Sequence, residues 1–469
     1  MLRTPCVCYG LWIGVVLTAC WGGFSVTGCS ANTKELEVRR IIEDIGQDSP
    51  TPGLTVDQSD VIEVYGPQHT ANILEHMYEG TQDARALRVA RLLWTMVFPK
   101  DPGATIGRIA RKAVFDPRPY VAEDAAILLV VENTADSRSH VLARIRATED
   151  PALLWGLLWT SAVYPVRRAE ESLAKAGGTE ESSEKQGAPS TFLQGQCALN
   201  EIVCTVLAEP LPPDADDHER HCWISRKAAA IDACREFVLS RPDHALPEWL
   251  PSSLVSLLTT HAELADEIAM FAAETRARKM MPGLVDCFPR LRLESKIPVA
   301  ASLLVLGATS ANPRRSLLGL LEEVVRRKET SAQVREVCEK VVWWLSYVAG
   351  NLSDCSLMDA MWSTYVANLE QEDRADMVAA MVQAQKRFPN ALFLFLDRLG
   401  EDHLLPLLVT SGSLREDLRA LLDHQWLLAM ETGNPMPPEV EAALSRLQSL
   451  VAKAAAIELR SHSEAHEPR

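Results

Sequence analysis

Helical periodicity punctuated by proline constrains this chain more than any other feature. The windows Asp83 to Phe98, Ala104 to Val114, Val121 to Glu132, Pro151 to Tyr164, Asn312 to Lys328 and Ser331 to Ala349 repeat apolar residues at helical intervals, the spacing that lines one face of an α-helix. No run alternates Val, Thr and Tyr between Asn-Gly turns, so strand signals are almost missing. Asp101-Pro102, Asp116-Pro117, Asp150-Pro151 and Asn312-Pro313 each put a capping side chain before a proline whose fixed φ suits a first helical turn. The pattern predicts an all-α chain of short helices with brief connections, stacked in pairs. A continuous coiled coil would lack those breaks.

Charge narrows the function classes. The 469 residues carry 47 Lys+Arg against 63 Asp+Glu, a formal net charge of −16. Phosphate affinity comes from clustered cations that release counterions, so the acidity argues against nucleic acid as a partner. At 47% hydrophobic and 23% charged, the composition is that of a folded chain.

The first residues read as a targeting segment. No charge occurs from Thr4 to Thr33, Arg3 supplies a positive start, and Tyr9 to Leu17 is apolar, about the length a signal peptide needs. Gly22-Gly23 and Ser25 interrupt the apolar density, unlike a spanning helix of about 20 strongly apolar residues. Val26-Thr27-Gly28-Cys29 and Leu17-Thr18-Ala19-Cys20 resemble the lipobox of bacterial lipoproteins. The resemblance implies lipid on the Cys sulfur, cleavage before it and acylation of the new amino terminus. Cys29 is the preferred site, because polar Ser30 to Lys34 follow it as a tether would, whereas Trp21 and more apolar residues follow the alternative, Cys20. Several acyl chains hold firmly where one binds reversibly. The expected location is therefore the cell membrane or the outer membrane, lipid-anchored, with the body in the periplasm or outside the cell.

Two helical windows fit a finer template. Val121-Ala122-x-x-Ala125-x-x-x-Leu129 and Val334-Arg335-x-x-Cys338-x-x-x-Val342 resemble the second helix of a HEAT-type repeat, although Ala122 stands where the repeat has Arg. Val166-Arg167-x-Ala169 and Leu87-Arg88-x-Ala90 are looser matches. A small residue at that place lets neighbouring helices approach while the aliphatics fill the layer between them. Ala233-x-x-x-Phe237 with Pro242 resembles half of a tetratricopeptide unit, the rival reading. The HEAT-like resemblance covers 85–175 and 295–350 and implies an α-solenoid of stacked helical hairpins that binds other proteins.

The division expected along the chain is a lipoprotein signal peptide at 1–28, a tether with the first helices at 29–80, and a helical repeat region at 81–176. A Gly, Ser, Glu and Lys-rich flexible linker follows at 177–191, then a second repeat region at 192–460 and a disordered tail at 461–469.

The seven body cysteines, Cys197, Cys204, Cys222, Cys234, Cys287, Cys338 and Cys355, read as buried thiols inside apolar helical windows, with a Cys222–Cys234 bridge as the alternative. Motifs that carry chemistry are few. Asp214 to Cys222 is dense in Asp, His and Glu but lacks the His pair of a zinc protease helix, and reads as an acidic loop capping a helix N-terminus. Ser172-x-x-Lys175 and Ser182-x-x-Lys185, with Ser310-Ala311-Asn312, formally match motifs of penicillin-interacting enzymes, but no Lys-Thr-Gly element exists. Arg276 to Lys279 and Arg326 to Lys328 read as solvated helix ends. Trp155 and Trp159 share a helix face, and Trp343-Trp344 is an adjacent pair; core packing is the default reading of all four, but if one of the adjacent pair faces the core its neighbour points about 100° away, and an exposed Trp is a good interface anchor. No catalytic, metal-ligating or cofactor-binding residue is assigned. The function expected is a non-enzymatic interaction scaffold of the cell envelope with unidentified protein partners; the alternative is an enzyme that processes envelope polymers.

Overall fold

The computed structural model describes residues 27–45, 55–80, 83–98, 107–163, 201–241, 246–308, 312–328, 331–432 and 436–465. Among these residues every regular element is a helix and no strand occurs. The leader to residue 26 with Cys20, the side chain of Cys29, the linker at 177–191 with Ser182, and Ser172, Val166, Cys197 and Pro242 lie outside the described residues. The chain divides into two compact units, residues 1–128 and 129–469.

In the first unit, α1 (Thr27–Asp44), α2 (Val56–Tyr65), α3 (Pro67–Glu79), α4 (Asp83–Met96) and α5 (Arg108–Ala113) lead into α6 (Pro119–Glu132). The backbone from Cys29 to Asp44, expected as a tether, is thus helical, because Val38 and Ile42 recur one turn apart and are wholly buried, with α2 as the neighbouring helix. The α3 helix packs on α2, α4 and α5. Polar side chains fix those contacts: Glu75 pairs with Arg108 at 2.8 Å and Glu79 with Lys112 at 2.7 Å. Asp116 does not cap α6 as its Asp-Pro spelling predicts: the helix starts at Pro119 rather than Pro117, and Asp116 closes the turn just before it, accepting from the Arg118 amide at 2.9 Å and from Tyr78 Oη at 2.9 Å.

The second unit continues with α7 (Ala135–Ala147), α8 at 151–163, α9 (Glu201–Ala208), α10 (Asp217–Leu239), α11 (Leu250–Thr260), α12 (Ala265–Glu274), α13 (Met281–Cys287) and α14 (Leu293–Leu306). After these come α15 (Pro313–Arg327), α16 (Ala332–Leu352), α17 (Cys355–Thr364), α18 (Gln371–Ala384), α19 (Asn390–Thr410), α20 (Gly412–Thr432) and α21 (Pro438–Ala465). From α10 onward the even-numbered helices pack on one another in order, α10 on α12, α12 on α14, and so on to α20. The odd-numbered helices do the same from α15 through α17 and α19 to α21. One continuous core runs between the two rows, from Ala269 on α12 to Ala454 on α21.

The sequence features account for much of this. Cys338 and Val342 in α16, and Val121, Ala125 and Leu129 in α6, are buried, whereas Val334 in the first turn of α16 is only half-buried. Asp150 accepts from the Ala152 amide at 2.9 Å and caps α8. Asn312 does not act as a cap: it adopts a left-handed φ of 39° and makes no side-chain cap bond, so Pro313 alone starts α15. Cys222 and Cys234 form no bridge, since they lie on one helix, α10, more than three turns apart, about 18 Å along its axis and far beyond the reach of a disulfide. At the far end α21 runs to Ala465, so residues 461–465, expected as tail, are helical; the Ala454-Ala455-Ala456 run favours helix strongly and carries it on.

Candidate interaction face

The even-numbered row carries a polar surface whose side chains bridge neighbouring helices. On α10, Asp232 accepts from the exposed Trp155 indole of α8 at 2.6 Å and pairs with Arg235 at 2.6 Å. Trp155 in turn stacks on Trp159, with ring centroids 6.0 Å apart, as their shared face predicted. On α12, Asp266 takes Lys340 Nζ at 2.6 Å and the Trp344 indole at 3.1 Å, both from α16.

The adjacent tryptophans both pack on the core, their default reading, and neither stands clear as an anchor. Trp344 is buried, while Trp343 is half-buried and lies flat on Tyr347, with centroids 5.7 Å apart and planes 3° from parallel. Tyr347 is one turn further along the same helix, so its ring takes up the face that an isolated Trp would have exposed. The accessible indole on this face is therefore that of Trp155, which is 41% exposed; Trp249, just before α11, is exposed to the same extent.

Carboxylates dominate the electrostatics. Burial pushes the Glu267 carboxyl up, and the neighbouring Asp266 and Asp232 add to the effect. Burial works against the Arg235 charge, but Glu274, Asp232 and Glu236 outweigh it and hold its pKa above the ordinary value. The face thus combines one accessible indole, half-exposed carboxylates and cations already engaged by them. Chemically it can present acidic and aromatic groups to a partner; its arginine and lysine are largely satisfied from within.

The other singled-out groups are dispersed. Asp216 and Glu219 form a reciprocal capping box at the start of α10, at 2.7 and 3.1 Å, which is the capping role expected of the acidic loop. His218 there lies 3.3 Å from Glu149 and 3.8 Å from Cys222 Sγ, and no group of three or more potential ligands among the described residues is arranged to hold a metal ion. Arg327 pairs with Glu323 in the last turn of α15, whereas Arg276 turns out to be a tie between helices, with Nη1 donating to Val305 O and Nη2 to Asn351 O, both at 3.1 Å. Burial pushes up the thiols of Cys204, Cys234, Cys287 and Cys338, opposite to what a nucleophilic cysteine needs. No helix among the described residues is long and apolar enough to cross a membrane.

Two groups went unnoticed in the sequence. Glu274, whose side chain is only 7% exposed, takes both Arg235 and Arg387. Lys227 is buried, and its Nζ donates to the carbonyls of Val206, Leu207 and Glu209 at 2.6, 2.7 and 2.6 Å. The only signal for Lys227 was a cation beside the apolar Ala228-Ala229-Ala230-Ile231 run; Glu274 had none. Neither the protein-family models nor the curated proteins contain a match to this chain.

Proposed function

We propose that the chain is a bacterial envelope lipoprotein, anchored through Cys29 with Cys20 as the alternative site, whose HEAT-like solenoid body is a non-enzymatic scaffold for protein partners. The lipid holds it to the cell membrane or the outer membrane, with the body in the periplasm or outside the cell. The observation that carries the scaffold reading is the ordered packing of helix on next-but-one helix from α10 to α21, which builds long, gently varying surfaces from repeated units. The Trp155–Asp232 pair on one such surface supports it, since an accessible aromatic set among carboxylates suits a partner bearing cationic and apolar side chains.

Metabolic labelling with an alkynyl fatty acid tests the anchor. The wild-type chain takes up label and sediments with membranes, and Cys29→Ser loses both; label retained in Cys29→Ser but lost in Cys20→Ser moves the site to Cys20, and an unlabelled wild type ends the reading. For the scaffold, cross-linking in detergent-solubilised membranes should capture a partner that Trp155→Ala captures several-fold less.

A further inference from the structure

The ends of the even-numbered helices are laced into a closed circuit. Arg235, near the end of α10, pairs with Glu274 at the end of α12 at 3.1 Å. Just beyond, Arg276 adopts a left-handed φ of 51° and donates to the last carbonyls of α14 and α16, at Val305 and Asn351. On α16, Gly350 lets the turn after α18 come so close that a Cβ there would lie 2.8 Å from Phe388 O. The side chain of Gln385 holds that turn in place: it accepts from the Leu392 amide at 3.0 Å and points its Nε2 at Met358 Sδ, 3.2 Å away. From the same turn Arg387 reaches back 113 residues to Glu274 and lies 3.9 Å from Glu236, which closes the circuit onto α12 and α10.

Each link has a separate physical basis. Helix C-termini concentrate negative potential, and Arg276 neutralises two of them at once. Glu274 is shielded from water, so its two guanidinium partners are screened less than an open surface pair. Arg387, by contrast, is 46% exposed and sits at the outer end of the circuit, where it can leave for solvent without opening the core.

We propose that Arg387 and Glu274 form a releasable bolt that sets how tightly the α10–α18 row closes at this edge, so that its release loosens the α12 end and the 385–388 turn while the two rows stay folded. The amides that report on it are those of Thr275 and Ala277, bonded to Phe271 and Ala272, and of Gln385 and Phe388, bonded to Met381 and Gln385.

Hydrogen exchange on the full chain tests this with Arg387→Ala, Arg387→Lys and Glu274→Gln. Exchange at 275–277 and 385–388 should rise about ten-fold or more in Arg387→Ala, less in Arg387→Lys, and in the same direction in Glu274→Gln, while amides of α19–α21 keep wild-type protection. Two results overturn the bolt: exchange at both segments within two-fold of wild type in Arg387→Ala, or protection lost evenly across the second unit, which would make the contact part of global stability. Should Glu274→Gln fail to fold, the two Arg387 variants still decide the matter.

Discussion

Asp116 shows how much a single side chain can carry. It accepts from the Arg118 amide, the Arg118 guanidinium at 2.7–2.8 Å and Tyr78 Oη, and its carboxyl is held well below the usual carboxylate range, first by the Arg118 side chain and then by the Arg118 amide and Tyr78 against the opposing effect of burial. A carboxyl depressed in the folded state contributes stability above its unfolded pKa of about 3.9 and loses it as pH falls through the folded value. Asp116→Asn should therefore melt lower than wild type at pH 7, with the gap narrowing as pH drops below about 4; a gap constant from pH 7 to pH 2 in thermal melts followed by circular dichroism would contradict this. The Asp-Pro spelling marked a break at this residue but promised a helix cap where there is a turn before α6, and it gave no sign of Tyr78, a partner 38 positions away that only the packing of α3 supplies. Lys227 was hidden for the same reason. Burial brings its pKa down to about 8, yet its three carbonyl acceptors match the three protons of an ammonium, and those acceptors come from the end of α9.

Among elements, the helices were legible and their breaks only partly so. The windows at Asp83, Val121, Pro151, Asn312 and Ser331 all correspond to helices, because one buried face imposes its period directly on the sequence. Kinks leave a fainter trace. The α19 span breaks at Gly400, where φ is 71° and ψ is 177°, a region that only glycine enters cheaply; Leu399-Gly400-Glu401 reads as continuous helix unless the glycine is given weight. Gly400→Ala has open space for its methyl, so its cost is conformational alone, about 1–3 kcal/mol. Urea unfolding checks the figure, and an unchanged midpoint would mean that α19 straightens without strain. The candidate face was legible only as Trp155 with Trp159. Asp232 and Asp266 are ordinary helix-surface acids in the sequence, and what distinguishes them is that Trp155 and Trp344 arrive from other helices.

At the scale of the molecule, the all-α character followed from composition and period together, while the two-row order in the second unit needed the contacts themselves. Repeat arrays gain stability mainly between neighbours, but here α16 touches α14, α15, α17, α18 and α19, and the core that surrounds it is unbroken from α12 to α21. Leu345, wholly buried in that helix, is therefore a test of cooperativity. Leu345→Ala should cost about 2–5 kcal/mol and shift the denaturation of α12–α21 as one transition. If calorimetry instead resolves a separate early transition for the helices around α16, the core is segmented.

The buried thiols carry one more consequence. Cys234, Cys287 and Cys338 are packed at 4% exposure or less with their thiols pushed up by burial, so thiolate, the species that attacks a disulfide, is scarce at neutral pH. While folded, these sulfurs stay chemically quiet even among oxidants, and the time at risk of mispairing is confined to the interval before the helices close over them.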